Sequence, residues 1–427
     1  MKKVNILHNP YLLFSPILLI LIIYVIINPT QCIGDEARYL WYAKNMLNGF
    51  YSPSAPNIQL INGPGYPMIL IPFVFMKLPL ICITILNAFF YYFSIIFLYK
   101  SLNKIVSHRI TLLFSFAWAF YYLSFQNIPI IVTEPFTYFL ISLLIYLVIN
   151  TFDTDRKNFE KRNVILSGII LGFIVLTKMI FGHILIFMLI GSGLLWLFYK
   201  KNFQLRKVFI ILSIALLTVI PYLIYTYNLT DRIFYWGFGS DTLYCMSSQY
   251  EGEYGDYKKG LDINSVELGN YNIKGSDSIL KAHHQAEYDI INKYTGIERD
   301  DVYKKIAIQN IKEHPLKFME NIIYNVGRLI FHYPFSYAVQ RPKILLVFPI
   351  NGAILTLMIF SLIPTIINWR KIPTYLQFLL VLTLLYLAAS SLVTAYVRMF
   401  TIIVPILFIW IAYVIQNTLK INLKFKI

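Results

Sequence analysis

Residues 208–227 read VFIILSIALLTVIPYLIYTY, a stretch without one charged side chain, entered from Arg206-Lys207. A helix of about 20 apolar residues crosses the ~30 Å hydrocarbon core of a bilayer, so this stretch reads as a membrane span. Nine further stretches share its character, at about 11–28, 80–99, 110–127, 133–150, 164–180, 183–199, 344–367, 374–392 and 397–416. The whole chain agrees with this reading. Of its 427 residues 58% are apolar and 14% charged, with a mean hydropathy of +0.62. Soluble domains carry roughly a quarter charged residues, so a soluble globule, a disordered chain and a collagen-like fibre are excluded. The expected fold class is an all-α polytopic membrane protein of about ten transmembrane helices. The first span is expected to be retained, because Ile27-Asn28-Pro29-Thr30 offers no small-residue cleavage site.

The net charge of +16 is a matter of position. Basic residues collect at the cytoplasmic ends of membrane helices. With the N-terminus inside, those ends hold Lys2, Lys3, Lys100, Lys104, Arg109, Arg156, Lys157, Lys161, Arg162, Lys200, Lys201, Arg206, Lys207, Arg370, Lys371, Lys420, Lys424 and Lys426. The short outer loops and helix ends hold only Arg38, Lys44, Lys77, Lys178 and Arg398. The basic excess is therefore a topology signal with both termini cytoplasmic, and no nucleic-acid partner is expected. Three parts follow: a seven-span module at 1–227, an extracytoplasmic domain at 228–343 and a three-span module at 344–427. No internal repeat is visible, which leaves the inverted-repeat plan of many transporters unsupported. Three cysteines without a CxxC or Cys/His cluster exclude a disulfide scaffold and a zinc finger; pairing of the two outer ones, Cys32 and Cys245, stays open.

Two outer segments are large. Residues 29–79 contain an amphipathic stretch, Ala37–Leu47, suited to a helix lying on the membrane surface. Residues 228–343 open with a Gly/Tyr-rich loop from Gly237 to Gly260 and continue into helices expected at 278–294 and 300–331, broken at His314-Pro315. Asp300-Asp301 suits a helix start.

Fifteen of the 21 acidic residues lie between Asp231 and Glu320, and Asp153, Asp155 and Glu160 sit in a basic cytoplasmic loop. The membrane part keeps only Asp35, Glu36 and Glu134, all at its outer surface. Carboxylates beside hydrocarbon are costly and mark functional sites, although Asp35-Glu36 also suits a helix cap and Glu134-Pro135 a first helical turn. Lys178 and Arg398 are cations on the outer side, where positive charge is disfavoured. Each alone can snorkel to headgroups; together with the acids they sketch a site for a phosphate or pyrophosphate.

Gly34-Asp35-Glu36-Ala37-Arg38-Tyr39, followed by Pro64-Gly65-Tyr66-Pro67, resembles the GT-C glycosyltransferases. The group concerned is the bacterial relatives of dolichyl-phosphate-mannose protein mannosyltransferase and of the lipid A aminoarabinose transferase. Thr133-Glu134-Pro135, Leu171-Gly172 through Leu176-Thr177-Lys178, Ile311-Lys312-Glu313-His314-Pro315 and Arg398-Met399-Phe400 with Pro405 are similar to family pieces in the expected order. The resemblance implies a GT-C bundle with surface helices in the first outer loop and a mainly helical extracytoplasmic domain. It implies a glycosyltransferase of the bacterial cytoplasmic membrane, which moves a sugar from a polyprenyl-phosphate donor to a glycolipid, glycan or protein acceptor outside, with inversion. Asp35 matches the acid taken as base, Glu36 its neighbour and Glu134 the second acidic position. Lys178 and Arg398 match cations facing the donor phosphate. His183 is a further candidate for that phosphate, and Arg38, Tyr39 and Tyr66 are candidates for positioning acceptor and loop. No cofactor is required; a divalent metal between Asp35 and Glu134 is the alternative. Two features depart from the family. Asn62-Gly63 stands where many relatives have a lysine or glutamate, and the sugar-binding MIR modules are absent.

His283-His284 with Glu287 has metal-like spacing on a helix but no further evident ligand, so a hydrated surface is expected there. Gly168-x-x-x-Gly172 reads as a helix-packing face. An O-antigen-type polymerase or ligase would rely on outer arginines or a histidine, and a lipid-linked sugar flippase on charges at mid-membrane depth, where these spans have almost none. Reporter fusions after Lys104, Arg162 and Lys207 are expected to read cytoplasm, and fusions near Gly49 and Lys281 outside. An outside signal at Arg162 would overturn this topology.

Overall fold

In a computed structural model, residues 9–152, 160–199, 202–237, 239–256, 276–337, 342 and 344–420 are described. Lys2, Lys3, Asp153, Asp155, Arg156, Lys157, Lys200, Lys201, Lys424, Lys426 and the end of the Gly237–Gly260 stretch lie outside the described residues. Among the described residues the regular elements are helices, with no strand. The described residues open with α1 (Pro10–Leu13) and α2 (Ser15–Ile27), then α3 (Asp35–Leu47) and α4 (Gly65–Phe75) in the segment expected from the charge distribution to be the first outer one. The membrane body continues through α5 (Leu80–Ile105), α6 (His108–Ala119), α7 (Tyr122–Phe125), α8 (Thr133–Phe152), α9 (Glu160–Thr177), α10 (Ile180–Phe198) and α11 (Phe203–Thr230). The outer segment carries α12 (Gly239–Met246), α13 (Ser276–Ile291), α14 (Gly296–Glu313) and α15 (Pro315–Phe331). The chain ends with α16 (Ile344–Ile367), α17 (Thr374–Ser391), α18 (Val397–Thr401) and α19 (Val404–Tyr413), which widens into a π-turn through Thr418.

Six of these helices, α5, α8, α10, α11, α16 and α17, are long and apolar enough to cross a membrane. The protein is an all-α polytopic membrane protein. Of the other four expected spans, the one at 164–180 forms α9, an 18-residue helix whose sequence opens Glu160-Lys161-Arg162 and which ends at Thr177, and the remaining three differ for local reasons. The first is divided at Phe14, leaving α2 with 13 residues, roughly 20 Å of helix. The span expected at 110–127 breaks between α6 and α7, where the Trp118 carbonyl accepts the Tyr91 hydroxyl at 2.5 Å and the Tyr121 amide at 3.0 Å. The last expected span turns at Ile402–Ile403 between α18 and α19. The apolar helix α4 was not anticipated, because its 11 residues are shorter than a span. Asp300 does not start a helix. It lies a turn inside α14, where its carboxylate accepts from the Ser240 hydroxyl at 3.0 Å, and Asp301 pairs with Arg232 at 2.5 Å.

α5, α8, α9 and α11 pack in succession, and α19, buried from Val404 to Ala412, lies against α5, α6, α8, α16 and α17. Gly168 and Gly172 do form a packing face: an added Cβ would stand 2.6 Å from Ile214 Cβ and 2.5 Å from Thr218 Cβ of α11. The outer segment holds a smaller core of its own around Tyr244, Tyr288, Ile291 and Tyr303. It is tied to the membrane part by two fully buried residues of α15. Arg328 donates to the carbonyls of Ala395, Pro334 and Tyr254, each at 3.1 Å, and Asn325 donates to Val393 at 2.7 Å and Ser391 at 2.9 Å. These bonds fix the link that leads from α17 into α18.

The approach to α4 lies directly on the end of α9. A Cβ at Gly63 would meet the Leu176 carbonyl oxygen at 2.1 Å, and one at Gly65 would meet Thr177 Oγ1 at 2.5 Å. Only glycine fits such a backbone-to-backbone approach. Gly63→Ala is expected to destabilise the protein by about 1–3 kcal/mol, the usual cost of overpacking. A thermal melt in detergent checks this; an unchanged melting temperature would contradict the close approach.

Candidate active site

The sequence leaves three acids outside the two acid-bearing hydrophilic stretches, and the fold gathers two of them with three cations. Asp35 opens α3 after Gly34, and Arg38 one turn later reaches back to donate to Asp35 Oδ1. The i,i+3 spacing places both on one helix face. Arg398 on α18 donates from Nη2 to Asp35 Oδ2 at 3.0 Å, and its Nε lies 3.8 Å from Glu134 Oε1. Glu134, 1% exposed in the first turn of α8, accepts from Lys178 Nζ at 2.8 Å. Lys178 stands just past the last residue of α9, where the Gly63 and Gly65 contacts hold the backbone.

A buried carboxylate is costly unless paired, and Glu134 has two cations beside it. Burial pushes the Asp35 carboxyl up, but Arg398, then Arg38 and Lys178, outweigh it and hold the group below its usual range. Both Asp35 oxygens and Glu134 Oε1 thus face cations, while Glu134 Oε2 lies 3.4 Å from the Thr133 hydroxyl. The alternative of a divalent metal between these acids fits this donor set poorly, because an ion there would displace the cations.

These side chains line one cavity of about 440 Å³, a size usual for small-molecule sites. Two carboxylates against three cations leave its α3–α8–α18 end with one net positive charge. Trp236, Asp241, Thr242, Cys245 and Asp256 of the 228–343 segment also line it. Asp256 lies 3.4 Å from Arg328 and accepts from the Ser336 amide and hydroxyl. The cavity is thus cationic where α3, α8 and α18 meet, and Asp256 in its lining is compensated by Arg328.

The remaining candidates separate. Tyr39 lines the cavity, and its hydroxyl accepts from Asn62 Nδ2 at 3.1 Å, while Arg38 Nε donates to Asn62 Oδ1 at 2.7 Å. Asn62 is thus the residue that orients both. Glu36 faces away from the cavity; its carboxylate accepts from the Ile131 amide at 3.0 Å and from the Thr30 hydroxyl. It fastens the start of α3 to the segment before α8. Tyr66 is fully buried beneath Tyr39, ring centroids 5.3 Å apart, and reaches Asn87 instead of the cavity. His183 packs edge-on against Phe234 at 4.5 Å and does not line the cavity. The three cysteines are free thiols, and burial pushes the Cys245 thiol up to about 12.

The expected hydrated surface at His283-His284 is also corrected. His284 is buried, and both rings face Glu253, a fully buried acid 30 or 31 residues earlier. Nothing in the local spacing announces that partner.

No protein-family description matches the chain, and no curated protein matches it. Among solved structures it is similar to the crystal structure of ArnT from Cupriavidus metallidurans bound to undecaprenyl phosphate. The two are 10% identical, with a TM-score of 0.41 over 93% of this chain and 77% of that one. It is a distant likeness.

Proposed function

We propose that the protein is an integral-membrane glycosyltransferase of the GT-C kind, working on a polyprenyl-phosphate sugar at the outer face of a bacterial cytoplasmic membrane. The observation that carries this reading is the cluster at the cationic end of the cavity: Asp35 and Glu134 against Arg38, Lys178 and Arg398, at the outer ends of membrane helices. A polyprenyl-phosphate sugar carries its reactive anomeric carbon at the headgroup, so the chemistry belongs at this depth.

In this scheme the donor phosphate binds to Lys178 and Arg398. Charge-assisted bonds from Lys and Arg are the usual recognition of phosphate oxygens. As Arg398 turns toward the phosphate, Asp35 loses one of the cations that hold it ionised and becomes more basic. Asp35 then takes the proton of an acceptor hydroxyl. The acceptor oxygen attacks the anomeric carbon opposite the phosphate, the bond from that carbon to the phosphate oxygen breaks, and the anomeric configuration inverts. The negative charge left on the lipid phosphate is met by Lys178 and Arg398, an electrostatic contribution of the oxyanion-hole type. No metal is needed in this scheme. Glu134 holds the two cations in place, and Glu36 acts on structure alone. The acceptor is a hydroxyl of a glycolipid, glycan or protein.

The test is transfer from synthetic polyprenyl-phosphate hexoses and pentoses in proteoliposomes, with the acceptor named by comparing surface glycans of cells with and without the gene. Asp35→Asn keeps the shape and can still accept from Arg38 and Arg398 through its amide oxygen, but cannot take a proton. Transfer by this variant is expected to fall by at least ~10²-fold, the lower end of general-base contributions, while the folded, inserted protein still binds polyprenyl phosphate. Near-normal turnover by Asp35→Asn would overturn the assignment of the base.

A further inference from the structure

The outer segment holds a second convergence of chemistry-bearing side chains that transfer does not use. Glu253 presents Oε1 to His283 Nδ1 at 2.9 Å and Oε2 to His284 Nε2 at 2.8 Å. One donor atom from each of the three residues lies within 4.8 Å of the others. Neighbouring residues on a helix diverge by about 100°, so two adjacent histidines of α13 meet one point only if a group from elsewhere comes between them. Glu253, from the segment after α12, is that group.

The surroundings hold both imidazoles in fixed orientations. The Tyr250 ring stacks on His283 at 3.9 Å and 8°, and its hydroxyl donates to the His283 carbonyl at 2.7 Å. His284 Nδ1 lies 3.5 Å from Glu287 Oε2, and Glu287 accepts in turn from the Tyr244 hydroxyl and from Asn310 Nδ2. Tyr337 donates to Glu253 Oε1 at 2.9 Å, and the Ser248 hydroxyl donates to Oε2. A histidine whose far nitrogen faces a hydrogen-bonded carboxylate is the usual second layer of a metal site.

We propose that Glu253, His283 and His284 bind a divalent transition-metal ion, zinc by donor chemistry, which clamps the 247–256 segment onto α13. Zinc takes imidazole nitrogen and carboxylate oxygen at about 2.0–2.2 Å in a tetrahedron, which puts donors roughly 3.4 Å apart. Widening the present 2.8 and 2.9 Å contacts by about half an ångström seats the ion. Water completes the coordination. The ion also offsets the charge of a fully buried carboxylate beside Glu287. The clamp closes a loop of 30 residues between Glu253 and His283, a long closure of the kind from which a metal clip gains most in theory. Asp256, three residues past Glu253, lines the cavity, so the ion holds one cavity wall.

The test is independent of the transferase reading. Full-length protein with its affinity tag removed is stripped with a chelator in detergent, then titrated with cobalt and with zinc. One cobalt per chain is expected, with the visible absorption of a low-symmetry site, displaced by zinc. Zinc is expected to raise the melting temperature and chelator to lower it. Because His283 is half-buried, His283→Ala is expected to fold, to lose the stoichiometric ion and to melt like the stripped wild type. Folded wild-type protein that takes up neither ion stoichiometrically would overturn the proposal and leave a hydrogen-bond network only. Retention of the full equivalent by both His283→Ala and Glu253→Gln would overturn it as well.

Discussion

The contact of Arg398 with both Asp35 and Glu134 is the interaction on which the arrangement depends. Glu134 is 1% exposed, and an unpaired buried carboxylate would be strongly destabilising. Its two cations arrive from elements far apart in sequence, Lys178 from the end of α9 and Arg398 from α18. One requirement, compensating a buried charge, thereby gathers α3, α8, α9 and α18 at one place. These helix ends cannot move apart without separating the charges.

Much of the remaining fold serves that gathering. Gly63 and Gly65 let the first outer loop lie on the last turn of α9, which sets Lys178. Arg328 and Asn325 bind the carbonyls of residues 391, 393 and 395, and so set where α18 begins. The Tyr138 hydroxyl meets Thr401 at 2.6 Å, tying α18 to α8. A site assembled this way has a surplus of one cation, which suits it to an anion.

The sequence made the composition and the outer charges legible, because charge near hydrocarbon is rare enough to stand out. Asp35, Glu134, Lys178 and Arg398 were found for that reason, and the structure brings all four together. What stayed hidden depends on partners distant in the chain. Glu36 has the same character as Asp35, but alternate sides of one helix turn carry them, and only the fold tells which side meets the cavity. Asn62 carries no charge, and its role comes from bonding Arg38 and Tyr39. His284 looked hydrated because Glu253 lies 31 residues away. Helix breaks such as the one at Trp118 follow from side chains that claim backbone carbonyls, which hydropathy does not register.

The central claim is that the positive surplus beside Asp35 and Glu134 reads a lipid-borne phosphate. The direct measurement compares binding of a polyprenyl monophosphate with binding of the same polyprenyl alcohol to the purified wild-type protein, by native mass spectrometry from detergent. The account predicts a preference for the phosphate of at least ~10-fold, about 1.4 kcal/mol. Equal affinity for phosphate and alcohol would contradict it.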